Sequence, residues 1–185
     1  MPTALKIIMV DQSPESMILR QKARSLTPEE ILKPETQQLI DDMFETCGSI
    51  AVGLAAPQVG HSIRLLILAP KSRKSFPGSF YEEPIAVINP IILAKSEEKV
   101  YGWDGCMSIK NDRGYPRAWF ERHRSVEVQF LDWYGNSHTR RLDGFVSRIF
   151  QHEFDHLEGV LFTDYVDAKD LVQEDDFNKK MKENA

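Results

Sequence analysis

Between Glu35 and Cys47 the apolar residues Leu39, Ile40, Met43 and Phe44 recur at helical spacing. Gly48 follows as a C-cap, so the pattern predicts an amphipathic helix there. A second helical pattern runs from Gly144 to Leu157 and ends at Gly159. Between them the period changes. Arg64–Leu68, Ala86–Ile88 and Ile91–Leu93 are short apolar runs that read as buried strands, the last two separated by Asn89-Pro90. Ser125 to Leu131 alternates, with Val126, Val128 and Phe130 on one face, and Gly135-Asn136 offers a hairpin turn. Asp11–Pro14 and Thr27–Glu30 read as helix starts, each with a cap residue and a proline. The polar stretch 70–84 is expected to be a surface loop. The chain reads as one catalytic domain over residues 1–185, in which about 167–185 form a polar C-terminal tail or helix. Seven acids and four lysines between Asp164 and Ala185 support that ending.

Composition excludes several classes. Of 185 residues, 42% are hydrophobic and 28% charged, the balance of a globular chain rather than a disordered or fibrous one. The net charge of −5 gives no fold-wide basic surface, so DNA is not an expected partner. Lys110, Arg113, Arg117, Arg122 and Arg124 form a local basic stretch, read first as a solvated strand edge and second as a contact for peptide carboxylates or ribosomal RNA. Two cysteines, Cys47 and Cys106, are too few for a disulfide framework and suggest a reducing compartment. The run Ile7–Val10 is too short for a signal-peptide core, and no run of 18 apolar residues exists. A cytoplasmic enzyme with no membrane association is expected.

The chemistry concentrates in His152-Glu153-Phe154-Asp155-His156. Two imidazoles four residues apart share one face of a helix and can bind one metal ion, and Glu153 can then take a proton from an activated water. Random order would give roughly 0.01 such matches in a chain of this composition. At about 100° per residue, Phe145, Ile149, Val146, Leu157 and Phe150 fill an apolar arc with the histidines at its margin. Arg148 and Asp155 fall on the other, open side.

A tetrahedral catalytic site needs a third protein ligand and one free position. His61, His123 and His138 stand in polar or turn contexts. Cys106 follows Gly105 in Trp103-Asp104-Gly105-Cys106-Met107-Ser108, and its thiolate is the better candidate beside a histidine pair. Cys47 lies in the core register of the first helix and receives no function. The small-residue run Gly53-Leu54-Ala55-Ala56-Pro57 ends in Gln58, whose amide could hold an oxyanion.

These three pieces, in this order, resemble the three motifs of the peptide deformylase family, G-x-G-x-A-A-x-Q, E-G-C-x-S and Q-H-E-x-D-H. Here they stand as Ala51–Gln58, Asp104–Ser108 and Gln151–His156, and the resemblance covers about residues 4 to 165. It implies an α+β fold with antiparallel strands packed around a central helix that carries the histidines. It implies removal of the formyl group from the N-terminal formylmethionine of new polypeptides, with Fe2+ as native metal and Zn2+ or Ni2+ as substitutes. By motif position, Cys106, His152 and His156 bind the metal, and Glu153 is general base, then acid. Gln58 and the Met107 N–H stabilise the oxyanion. Gly53, Leu54, Gly105, Phe145, Arg148 and Ile149 contact the substrate. The formylated nascent peptide is the expected partner, the ribosome a further one, and the chain is expected to be a monomer.

Four positions depart from the family pattern: Ala51 for glycine, Asp104 for glutamate, Lys110 for proline, and Arg148 for an apolar side chain of the methionine pocket. The Ala51 change is mild if its φ is not positive. Asp104 is expected to pair with Arg117. Arg148 reads either as an exposed arginine paired with Asp155 or with nothing, or as a side chain that narrows and polarises the pocket and lowers methionine selectivity. Two rival readings are a zinc endopeptidase, with Glu158 or Asp164 as further ligand, and a weakened, peptide-binding relative.

Overall fold

A computed structural model describes residues 1–11, 13–69 and 83–183, without the side chains of 49 and 50. The loop expected over 70–84 lies almost wholly outside the described residues. Helix α1 (Pro28–Ile31) is closed by a capping box between Thr27 and Glu30, and α2 (Pro34–Ile50) follows. Gly48 does not cap α2: it is not among the positive-φ glycines, no left-handed cap forms, and the helix runs on to Ala51. The start predicted at Asp11–Pro14 is a 3-10 turn over Pro14–Arg20, capped by Ser13.

Five strands form an antiparallel sheet in the order β1 (Gly53–Ala55), β2 (Leu65–Leu68), β3 (Ile85–Lys95), β6 (Ser125–Leu131) and β7 (Ser137–Asp143). The two runs around Asn89-Pro90 prove to be one strand, β3, with a register shift between Ile88 and Ile91. Asn89 adopts φ 50, and its side-chain amide bonds both the N–H and the carbonyl of Leu26, so the turn signal becomes a bulge. The β6–β7 hairpin forms as expected, with Gly135 at φ 84.

A second sheet pairs β4 (Lys99–Gly105) with β5 (Arg117–His123). Helix α3 (Gly144–Leu157) packs on β1, β2 and β7 through Val146, Ile149, Phe150 and Leu157, and its opposite side faces β5. The architecture is thus α+β, with antiparallel strands around the histidine-bearing helix. The polar ending contains a 3-10 turn (Ala168–Asp170) and α4 (Glu174–Glu183), an exposed helix anchored by Phe177 edge-on to Trp103. No helix among the described residues is long and apolar enough to cross a membrane.

Candidate metal centre

Three separate pieces of chain deliver the site. Helix α3 carries His152 and His156 one turn apart, with ring centroids 5.1 Å from each other. Cys106 follows directly on β4. Gln58 sits on a 3-10 turn (Ala56–Val59) that continues from β1. The ligand atoms of Cys106, His152 and His156 all lie within 4.8 Å of one another, and the Cys106 Sγ is 3.2 Å from His156 Nε2. One sulfur and two nitrogens converging without an intervening side chain fit a tetrahedral divalent ion with one open position.

Electrostatics favour a cation at this point. Burial opposes ionisation of Cys106, but the neighbouring His156 and His152 outweigh it and draw the thiol well below its ordinary range. Burial likewise opposes a charged His152. Its hydrogen bond to Asp104 and its closeness to Cys106 overcome that and raise it well above its ordinary value. Asp104 Oδ2 lies 3.1 Å from His152 Nδ1, a contact that keeps the proton on Nδ1 and turns Nε2 toward the thiol.

Glu153 is different. Only 5% of it is exposed, and Oε2 has no hydrogen-bond partner among the described residues. Desolvation pushes its carboxyl up to about 7, against the nearby histidines, which pull it down. Such a carboxylate is poised to exchange a proton near neutral pH. Gln58 is held by the end of β1, its Oε1 accepting the Ala55 N–H at 2.8 Å. Its Nε2 thereby points at Cys106 Sγ (3.5 Å) and Ser108 Oγ (3.3 Å).

A cavity of about 500 Å³ opens beside these groups. Gly53, Gln58, Gly105, Met107, Phe145, Arg148, Ile149, His152 and Glu153 line it. Leu54 does not. It is fully buried in the core, on the edge strand β1. The walls also include Ile7, Met9, Val52, Trp103, Tyr115 and Arg117, which sequence reasoning missed. Cys47 is buried in the core of α2, as expected.

Several expectations need correction. Asp104 does not pair with Arg117. It pairs with Arg122 at 2.8 Å and with Arg148 at 2.7 Å. Parity explains this: Asp104 stands opposite Ala118, so it shares a face with Ala118, Phe120 and Arg122, whereas Arg117 stands opposite Gly105 and points the other way. The only sequence signal for Arg122 is the two-residue step from the apolar Ala118 and Phe120, with which it shares the buried face of β5. Arg148 is neither exposed nor paired with Asp155, because the β4–β5 sheet covers the side of α3 that the sequence left open. Asp155 pairs with Arg122 instead. The basic stretch is therefore not one solvated edge. Arg122 is buried while Arg124 is exposed. Ala51 has φ −138, so its substitution for glycine carries no backbone strain. Of the rival ligands, His123 bonds Ser96, His138 bonds Asp132, Glu158 pairs with Lys22 and Arg64, and Asp164 pairs with Arg20.

A histidine pair and a thiol around a common point, with a dry glutamate beside them in a cavity, define a metal-dependent hydrolase site. The polypeptide deformylase family model matches residues 5–171. The chain belongs to this family, whose members are metal-dependent hydrolases. It is 43% identical over 169 residues to peptide deformylase 2 of Nostoc sp., covering 90% of this chain and 91% of that one. The structure is similar to that of the class I type b peptide deformylase of Acinetobacter baumannii with Met-Ala-Ser bound: TM-score 0.80, 32% identity, 90% of this chain and 100% of that one. It is also similar to the Ehrlichia chaffeensis enzyme, with TM-score 0.77 and 29% identity over 99% of this chain and 98% of that one.

Proposed function

We propose that this chain hydrolyses the formamide at the N-terminus of formylmethionyl polypeptides, releasing formate. The carrying observation is the convergence of Cys106, His152 and His156 next to a buried glutamate with an unpartnered oxygen. Cys106, His152 and His156 would hold the metal. When bound, a divalent ion there supplies Lewis acidity and ionises water near neutral pH. We assign Fe2+ as the native ion, with Zn2+ or Ni2+ as substitutes. The two imidazoles suit all three ions, and the thiolate suits zinc in particular, so the donor set does not choose among them.

The rest of the work falls to the protein. Glu153 takes the proton from the attacking water and passes it to the leaving amine, a task suited to a carboxyl near pH 7. Gln58 Nε2, already aimed at the thiol, donates to the developing oxyanion, and the Met107 N–H is the second donor. The edge of β1 at Gly53, which lines the cavity, pairs with the peptide backbone, as an added strand would. Gly105 lines the other side, its missing Cβ leaving room for the Arg117 side chain. Phe145, Ile149 and the stem of Arg148 wall the pocket for the first side chain. The proposed setting is the cytoplasm, on nascent chains near the ribosome, with the protein a monomer.

Formate release from formyl-Met-Ala, measured with metal content, tests this reading. Wild type is expected to release formate, and Glu153→Ala to keep its metal while losing turnover by about 10²–10⁴-fold. Release of formate by the alanine variant at the wild-type rate would remove Glu153 from the chemistry. Cleavage of internal peptide bonds instead would transfer the site to an endopeptidase.

A further inference from the structure

Asp104 is almost completely buried, with 2% of its side chain exposed, and its two oxygens are divided between different partners. Oδ2 receives Arg122 Nε (3.0 Å) and Nη2 (2.8 Å) and faces His152 Nδ1 (3.1 Å). Oδ1 receives Arg148 Nη1 at 2.7 Å, and no other hydrogen bond reaches it among the described residues. A carboxylate gripped at one oxygen only can turn about its Cβ–Cγ bond, which would carry Oδ2 away from the imidazole. Gripped at both, it cannot.

Arg148 does more than hold one oxygen. It stands one helical turn before His152 on α3. Its Nη2 donates to the Phe120 carbonyl on β5 (2.6 Å) and to the Val100 carbonyl on β4 (3.2 Å). One guanidinium thus fastens the helix that bears both histidines to the strand that leads directly into Cys106. Charge closes within the cluster: the two guanidiniums of Arg122 and Arg148 face the two carboxylates of Asp104 and Asp155.

Room for this arrangement comes from Gly102. Its φ is not positive, so backbone conformation does not require glycine there. Space does. A Cβ at 102 would lie 2.6 Å from Arg148 Nε and 2.9 Å from its Cζ and Nη2. Any side chain would push the guanidinium off Asp104.

We propose that Arg148 is a positioning residue of the metal centre, fixing Asp104 against His152 and α3 against the Cys106 segment, and that Gly102 is the position that admits it. This rests on Cys106, His152 and His156 being the metal ligands. It does not depend on which bond the enzyme hydrolyses.

The test is the dissociation constant for Ni2+ of metal-free protein, by chelator competition, with thermal melting alongside. Arg148→Leu, which keeps the side chain's bulk without its donors, is expected to weaken Ni2+ binding about 10-fold, as loss of outer hydrogen bonds around a metal does. Gly102→Ala is expected to weaken it similarly with Arg148 still present. The double variant Gly102→Ala, Arg148→Leu should be no worse than Arg148→Leu alone, because the alanine has nothing left to displace. Arg148→Lys keeps the charge but cannot span three oxygens, and should fall between. Wild-type affinity in Gly102→Ala or Arg148→Lys overturns the proposal, as does multiplication of the two single effects in the double variant. Should Arg148→Leu fail to fold, the glycine and lysine variants still decide the matter. Formate release is not the readout, so failure of the proposed deformylation would leave this result standing.

Discussion

The two sides of α3 meet the active cavity in opposite ways. Toward β4 and β5 the helix presents Arg148, His152 and Asp155, and every one finds a charged or polar partner. Toward β1 it presents Ile149 and Glu153 against the bare backbone of Gly53, and Glu153 keeps one oxygen unpartnered. The first side is a closed polar network, which fixes geometry. The second is a dry contact that leaves one carboxylate under strain, and strain of that kind is what a proton carrier requires. Positioning and reactivity are thus divided between two faces of one helix, carried by neighbouring residues such as His152 and Glu153.

The sharpest way to break this contrast is to neutralise each carboxylate in turn. Asp104→Asn leaves two buried guanidiniums facing an amide, and uncompensated buried charge costs about 3–5 kcal/mol. The melting temperature should fall by roughly 10 °C for a chain of this size. Glu153→Gln should do the reverse, leaving melting unchanged or raised while abolishing turnover. The pH dependence follows in sign. Burial raises Glu153 from 4.5 to about 7, so in metal-free protein its ionisation works against folding. Wild-type stability should therefore fall relative to Glu153→Gln as pH rises from 4.5 to 7. Parallel losses of melting temperature in both variants would erase the distinction between the faces.

A smaller effect is expected from Gly53→Ala, which fills the dry contact. The new Cβ would lie 2.6 Å from Glu153 Oε1 and 2.7 Å from Ile149 Cγ2. Overpacking of this kind costs about 1–3 kcal/mol. Because Glu153 must move while Cys106 and His156 need not, turnover should drop at unchanged metal content. Equal loss of metal and turnover would show that the β1 side also holds the ligands in place.

Much of the chemical side was legible in the chain. The histidine spacing, the apolar arc from Phe145 to Leu157 and the motif around Cys106 are local patterns, and local patterns survive folding. The polar side was not. Arg122 reaches Asp104 only because of the register between β4 and β5, and β4, with Gly102 and Gly105 inside it, carries little strand signal. Arg148 was placed on the open side of a helical wheel, correctly as geometry, but a wheel does not reveal that a second sheet docks there. The same limit applies to Asn89-Pro90, where a turn signal became a bulge once Leu26 supplied a partner. Sequence reports which residues share a face; docking decides what that face meets.

The basic stretch offers the finest discrimination, since two of its arginines differ by one step of strand period but not in charge. Arg122 is 5% exposed at its side chain and divides itself between Asp104 and Asp155; Arg124 is 51% exposed and pairs with Glu98 at 3.1 Å. Its guanidinium is already solvated, and an exposed ion pair trades water contacts for protein contacts with little net gain. Arg124→Ala is therefore expected to leave melting temperature, Ni2+ affinity and formate release at their wild-type values, with no added sensitivity to salt. If removal of Arg124 instead lowered the melting temperature as much as Asp104→Asn, the polar network on α3 would have to extend to the surface through Glu98. Burial would then no longer separate the residues that fix the site from those that merely decorate it.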